Sequence, residues 1–189
     1  QNLQTKATLY GIDFLNQNVG GICAEKGRIF YTRDGGISWN SAITPTHRDL
    51  FKIQWIDTTY GFSCGAGTIL KTQDGGKTWI DVSVGTQTYL SLYFFNHKEG
   101  WVCGEGGTIL HTTNGGIDWI SCKTLVNSPF FGISFMGQQG IASGEGTILT
   151  TTNYGKSWVT SSPNLRIYSA SSNFISTENG GIFIYPIID

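Results

Sequence analysis

Charge is what this sequence has least of. Only 13% of its 189 residues are charged, and 12 Lys and Arg stand against 13 Asp and Glu. So small and balanced a load excludes a nucleic-acid binder that works through bulk positive charge. Together with 13% aromatic residues, it excludes a disordered chain, which needs high net charge and few aromatics. Proline is scarce, at 4 residues. No stretch approaches the roughly 18 apolar residues of a membrane-crossing helix, so no transmembrane segment is expected. No charged leader followed by an apolar run opens the chain. It begins on Gln1 rather than Met, which fits a mature protein freed of a signal peptide or a piece cut from a longer chain. Long helical periodicities are missing too, which weighs against a helical bundle and against an α/β nucleotide-binding fold.

Glycine, by contrast, is abundant at 26 residues, about twice ordinary usage. Six Trp, eight Tyr and eleven Phe accompany it. Glycine and aromatics without helical patterning describe an all-β protein with many tight turns.

The chain repeats itself. Thr32-Arg33-Asp34-Gly35-Gly36-Ile37-Ser38-Trp39 returns as Thr72-Gln73-Asp74-Gly75-Gly76-Lys77-Thr78-Trp79. Two further copies are Thr112-Thr113-Asn114-Gly115-Gly116-Ile117-Asp118-Trp119 and Thr151-Thr152-Asn153-Tyr154-Gly155-Lys156-Ser157-Trp158. Upstream of each box lies an apolar run headed by glycine: Gly21-Ile22-Cys23-Ala24, Gly61-Phe62-Ser63-Cys64, Gly100-Trp101-Val102-Cys103 and Gly140-Ile141-Ala142-Ser143. A glycine turn follows, then Arg28-Ile29-Phe30 and its counterparts at Thr68, Thr108 and Thr147. Repeat three carries one extra residue in that turn. Further upstream, alternating apolar residues recur: Tyr10, Ile12, Phe14; Phe51, Ile53, Trp55; Leu90, Leu92, Phe94; and Phe131, Ile133, Phe135. Period-two apolar runs between turns are strands.

Each unit therefore predicts four short antiparallel strands, A (9–14), B (21–25), C (28–33) and D (37–42) in the first copy. Four strands per unit of about 40 residues, repeated radially, give a β-propeller. The blades are expected at about 9–45, 50–84, 89–124 and 130–162, with a partial fifth at 166–189, all in one domain (1–189). Aromatics fall between blades, because one sheet cannot bury both faces alone. Asp34 and Asp74 can accept hydrogen bonds within their own turns. Asn114 and Asn153 can do so without the charge, and Trp39, Trp79, Trp119 and Trp158 can wedge against neighbouring hairpins.

The Ser/Thr-x-Asp-x-Gly-x-Ser/Thr-Trp pattern resembles the Asp-box, or BNR repeat, of sialidases, xyloglucan-hydrolysing enzymes, sortilin-type receptors and the photosystem II stability/assembly-factor group. The longer pattern, with Gly-Thr-Ile-Leu ahead of the box, is most similar to that last group. Asn114 and Asn153 depart from it at the Asp position, and Asp118 replaces the usual Ser or Thr. The resemblance implies a propeller that binds or assembles other proteins, in a larger membrane-associated or surface complex. It also implies a bacterial setting and an extracytoplasmic location: periplasmic, cell-surface or secreted.

The fifth unit begins without finishing. Counting on from Phe135 puts Phe174 at the end of its strand A, and Gly180-Gly181-Ile182-Phe183-Ile184 then matches strand B. Residues 2–7 can pair with the last sheet and close a compact five-bladed ring, removing exposed edges. The alternative is an arc of a larger ring of six to eight blades.

Site chemistry is thin. Cys64 and Cys103 hold matching places, with Cys23 one position away; all read as buried thiols, since equivalent positions on adjacent blades are too far apart for a disulfide. Cys122 follows Trp119. His47, His97 and His111 are scattered, so no metal site or cofactor is expected. A sialidase-type arginine triad does not fit four arginines, Arg28, Arg33, Arg48 and Arg166. Glu105 and Glu145, in equivalent B–C turns, are the one tempting carboxylate pair; they also read as solvated turn residues. The expectation is a non-enzymatic protein-binding module, with a glycan-binding module or glycosidase fragment as the alternative. The D–A and B–C loops should share one face carrying Lys26, His47, Arg48, Glu105, Lys123, Glu145 and Arg166. Position three of strand A, Gly11, Lys52, Ser91 and Gly132, should face the channel. Tyr89 and Phe130, at the starts of strand A, should pack in the core.

Overall fold

The computed structural model describes residues 3–160 with their side chains. It also describes the backbone of 161, 167–171, 174–177 and 182–184. The chain is a β-propeller of four four-stranded blades and a fifth sheet of three described strands. Blade 1 comprises β1 (Leu9–Phe14), β2 (Gly20–Ala24), β3 (Ile29–Thr32) and β4 (Asn40–Ser41). Blade 2 comprises β5 (Leu50–Trp55), β6 (Gly61–Gly65), β7 (Thr68–Thr72) and β8 (Ile80–Asp81). Blade 3 comprises β9 (Tyr89–Phe94), β10 (Gly100–Gly104), β11 (Ile109–Thr112) and β12 (Ile120–Ser121). Blade 4 comprises β13 (Phe130–Met136), β14 (Gln139–Gly144), β15 (Thr147–Thr151) and β16 (Val159–Ser161). The fifth sheet comprises β17 (Ile167–Ser171), β18 (Phe174–Thr177) and β19 (Ile182–Ile184). Within the sheets every described strand pairing is antiparallel between chain neighbours.

Strand A lies innermost. β1 packs on β5, β5 on β9, β9 on β13 and β13 on β17. Between blades the core is apolar and repeats. From the leading blade come Cys23 and Ile29, or Phe62, Cys64 and Ile69, or Trp101, Cys103 and Ile109. The following blade answers with the first, fourth and sixth residues of its strand A: Leu50, Ile53 and Trp55; Tyr89, Leu92 and Phe94; Phe130, Ile133 and Phe135. Tyr89 and Phe130 are thus core residues, and the Tyr89 hydroxyl donates to the Val84 carbonyl.

The sixth residue of strand A sets two neighbours. Its ring meets the box tryptophan of the same blade edge-on, at 6.1 Å for Phe14–Trp39 and Trp55–Trp79, 6.2 Å for Phe94–Trp119 and 5.9 Å for Phe135–Trp158. It also lies flat over the glycine that heads strand B. A Cβ on Gly20 would stand 2.7 Å from the Phe14 ring, and the same collision awaits one on Gly100 or Gly140.

Four expectations need correcting. Strand B of blade 1 starts at Gly20, because Gly20 pairs with Phe14 as Gly61 pairs with Trp55. Cys23 therefore occupies the same position as Cys64 and Cys103, and the B–C turn of blade 1 (25–27) is as long as that of blade 3 (105–107). Strand D is shorter than predicted, two residues in blades 1 to 3, because the box turn occupies the residues before it. Phe174 does not end strand A of the fifth unit; it opens strand B, paired with Ser171, and Ile182–Ile184 is strand C. Finally, residues 3–7 form no strand. Leu3 and Gln4 lie instead beside Phe30 and Trp39 on blade 1.

Candidate binding surfaces

The box turns are closed by their own side chains. Asp34 Oδ1 accepts from the Thr32 hydroxyl and the Ser38 backbone N–H, both at 2.8 Å, and Oδ2 accepts from the Ser38 hydroxyl at 2.6 Å. Asp74 repeats this with Thr72 and Thr78. Asn114 Oδ1 accepts from Thr112 and the Asp118 N–H, while its Nδ2 donates to Asp118 Oδ2 at 2.9 Å. The substitution of Asp118 for Ser or Thr is thus matched to Asn114, since donor and acceptor have exchanged places. Asn153 donates in the same way to the Ser157 hydroxyl.

Hydrogen bonds from the Ser38 hydroxyl, the Ser38 backbone and the Thr32 hydroxyl push the Asp34 carboxyl down to about 2. A folded value below the unfolded one near 3.8 favours the folded turn at higher pH. That contribution is fully present above about pH 4 and is lost as pH falls toward 2. An NMR titration should place the Asp34 carboxyl midpoint near 2, and Ser38→Ala should move it up toward 3.8. A wild-type midpoint near 4 would contradict this account of the turn.

On the opposite face, the D–A linkers are fastened to the B–C turns. The Glu105 N–H donates to the Thr88 carbonyl at 3.0 Å, and the Glu145 N–H to that of Pro129 at 3.4 Å. The Thr44 hydroxyl donates to the Gly27 carbonyl and that of Thr124 to Gly107, at 2.7 and 2.9 Å. Arg48 reaches the Gly67 carbonyl of the next blade at 3.1 Å. Around these fastenings Lys26, His47, Glu105, Lys123 and Glu145 are exposed. The Lys26 N–H donates to Asp49, and Lys26 and His47 line a cleft of about 670 Å³ with Arg28 and Thr46. Glu105 and Glu145 stand in the hairpins of separate blades, each in a turn of its own. Arg166 lies outside the described residues.

The described arginines do not converge. Arg28 pairs with Glu25 at 3.7 Å. Arg33 donates to the Thr58 and Gly75 carbonyls of blade 2, at 2.7 and 2.6 Å, over the Trp55 ring. Lys71 repeats the latch one blade on, donating to the Gly115 carbonyl at 3.2 Å. Among the described residues no group of three His, Cys, Asp or Glu is placed to hold a metal. All four cysteines are free thiols. Burial pushes Cys23 up to about 12 and raises Cys64 and Cys103 as well, so these thiols stay protonated and unreactive.

Lys52, Ser91 and Gly132 line a channel pocket of about 270 Å³. Gly11 does not. It is wedged where a Cβ would stand 2.8 Å from both Cys23 Sγ and the Phe51 carbonyl oxygen. The fifth residue of strand A also lines the pocket, as Asp13, Gln54, Tyr93 and Ser134. Two of these tie blades together. The Trp55 N–H donates to Asp13 Oδ2 at 2.6 Å. Gln54 donates to the Phe94 carbonyl at 3.0 Å and accepts from the Phe94 N–H at 2.7 Å. Period-two polarity marks these positions as channel-facing, but nothing in it foretells a bond about 40 residues away.

The sequence pattern of the photosynthesis system II assembly factor YCF48 family matches residues 38–159, from the end of the first box to the strand after the fourth. The chain belongs to this family. The family is described as an assembly factor, not as a catalyst. Among solved structures, YCF48 bound to D1 peptide superposes with a TM-score of 0.74 at 16% identity, over 96% of this chain and 64% of that one. YCF48 from Cyanidioschyzon merolae gives 0.72 at 20% identity, over 100% and 70%. The GH74 enzyme of Niastella koreensis gives 0.73 at 12%, over 88% and 34%. At such identities the likeness concerns the fold. The chain thus spans less than two thirds of the first assembly factor and well under half of the hydrolase. No curated protein matches it.

Proposed function

We propose that the chain is a non-enzymatic, protein-binding propeller that holds a polypeptide segment of its partner against the loop face and channel mouth. The observation that carries this reading is the fastened loop face. Linker and turn are bonded to each other in blade after blade. A surface ordered before binding loses little conformational freedom when a partner docks. It presents charges of both signs, Lys26 and Lys123 with Glu105 and Glu145, beside the imidazole of His47 and around a polar channel headed by Lys52. Membership of an assembly-factor family supports the reading, as does a fold neighbour that binds a peptide. An extracytoplasmic site of action, in a larger membrane-associated complex, is part of the same proposal and rests on the resemblance to exported repeat proteins.

The test uses labelled D1 peptide in fluorescence anisotropy, with co-precipitation from solubilised membranes alongside. Wild type should bind a polypeptide, and Lys26→Glu with Lys52→Glu should weaken binding at least tenfold, because exposed charges steer and orient a partner. Hydrolysis of a glycan panel that disappears in Glu105→Gln or Glu145→Gln would overturn the proposal. So would binding indifferent to the double charge reversal.

A further inference from the structure

Strand A breaks its regular pairing at the same place in each of blades 1 to 4. The ladder passes from Leu9 to Gly11, from Leu50 to Lys52, from Tyr89 to Ser91 and from Phe130 to Gly132. Each step inserts the second residue of the strand as the extra residue of a β-bulge: Tyr10, Phe51, Leu90 and Phe131. Plain alternation would send that residue into the core with the fourth and sixth. A bulge re-aims it. Phe51, Leu90 and Phe131 are accordingly half-buried, while the first, fourth and sixth residues of the same strands are buried. Leu90 and Phe131 line the channel pocket, and the Tyr10 ring meets that of Phe51 in the next blade edge-on at 5.3 Å. Strand A begins where the D–A linker arrives, so this row lies at the loop-face end of the channel wall. A single exposed apolar side chain is ordinary, but one at the same bulge in blade after blade is a surface made for contact.

The residues beyond the row limit what can dock there. Lys52 and Ser91 come next along the strands, then Asp13, Gln54, Tyr93 and Ser134. Asp13 and Gln54 are engaged with the backbone of Trp55 and Phe94. Lys52 is exposed, is the one cation among the described residues lining the pocket, and has no ion pair among the described residues. At about 270 Å³ the pocket falls below the roughly 300–1,000 Å³ of small-molecule sites. It has room for a side chain of a partner rather than for a whole free ligand.

We propose that the row of bulge residues seats a bulky apolar side chain of the partner polypeptide, with a carboxylate on the adjoining residue set against Lys52. This rests on the reading of the loop face as a polypeptide-binding surface and adds what that surface selects, an apolar residue beside Asp or Glu. The apolar side chain is the anchor, because it leaves water on docking. The charge fixes the direction in which the segment lies.

Selection from a phage-displayed library of random peptides tests this. Wild type should enrich peptides that carry Leu, Ile, Met, Phe or Trp next to Asp or Glu. Phe51→Ser with Leu90→Asn should lose the apolar preference and weaken an enriched peptide by at least about tenfold in fluorescence anisotropy, the loss expected of an anchor, with circular dichroism unchanged. Lys52→Glu should keep the apolar residue and exchange its acidic neighbour for Lys or Arg, a change of preference that a merely structural role would not produce. If the double variant fails to fold, Leu90→Asn alone, and alanine in place of the apolar residue of the enriched peptide, should each weaken binding. Enriched peptides without an apolar residue, or the same preferences in wild type and variants, would overturn this inference and leave the protein-binding reading standing. A library that enriches nothing would also overturn it, and would overturn the broader reading as well if the D1 peptide fails to bind.

Discussion

Replacing Trp101 with alanine is expected to cost about 3–5 kcal/mol of stability, the range for deleting a large buried aromatic side chain. Trp101 is fully buried. Its ring stacks on Phe135 of the next blade at 3.9 Å between centroids and on His111 of its own at 4.5 Å. Those are the flat faces of a sandwich across the boundary between blades 3 and 4, so the cavity would open at the boundary itself. The indole N–H has no hydrogen-bond partner, so no polar contact is lost with the ring. Trp101→Phe should accordingly cost less than half as much. Because each repeat is stabilised mainly by its neighbours, weakening one boundary should also divide the unfolding transition. Urea melts followed by circular dichroism and by tryptophan fluorescence should coincide for wild type and separate for Trp101→Ala. A loss below about 1 kcal/mol, far under the usual cost of such a deletion, would show that the boundary is not a source of cooperativity.

Gly107→Ala should be the most damaging of the small changes, at about 2–5 kcal/mol, the sum of left-handed strain and overpacking. Gly107 has φ 69°, and a Cβ there would collide with the Val126 carbonyl oxygen and approach its carbon to 2.7 Å. The linker would be driven off the turn, and the Thr124 bond to the Gly107 carbonyl would go with it. Gly106 is the control. It is also left-handed, at φ 64°, but nothing lies within 4 Å of a Cβ there. Gly106→Ala should cost only the backbone part, about 1–2 kcal/mol. Thermal melts of the two variants would separate steric from conformational cost at adjacent residues. Equal losses would refute the collision with the linker. Any change in partner binding should follow Gly107→Ala alone, since only that linker moves.

Much of the fold was legible because each repeat states the same instruction four times. The box, the strand periods and the aromatic at the end of strand A each have a local cause. Where the reading failed, the cause was not local. Two glycines, Gly20 and Gly21, both qualify to head strand B, and only the flat contact with Phe14 chooses between them; that choice displaced Cys23 by one. A count of 39 from Phe135 misplaces Phe174 because it assumes the A–B spacing of the earlier blades, whereas in the fifth sheet Phe174 pairs directly with Ser171. On the loop face, Arg48 looked like a ligand-seeking cation. The structure gives its guanidinium a backbone carbonyl in the next blade. Asp13 and Gln54 were invisible as tethers because their partners are Trp55 and Phe94 backbone groups, which carry no side-chain signature.

The Asn114–Asp118 pair carries a further consequence. The same turn is held with the carboxylate at its first polar corner in blades 1 and 2, at its second in blade 3, and at neither in blade 4, where Asn153 faces Ser157. The hydrogen-bond circuit is satisfied each time, whichever corner donates. Negative charge can therefore migrate, or vanish, on that face while the backbone stays fixed. A scaffold wired in this way can be repainted electrically, blade by blade, without being refolded.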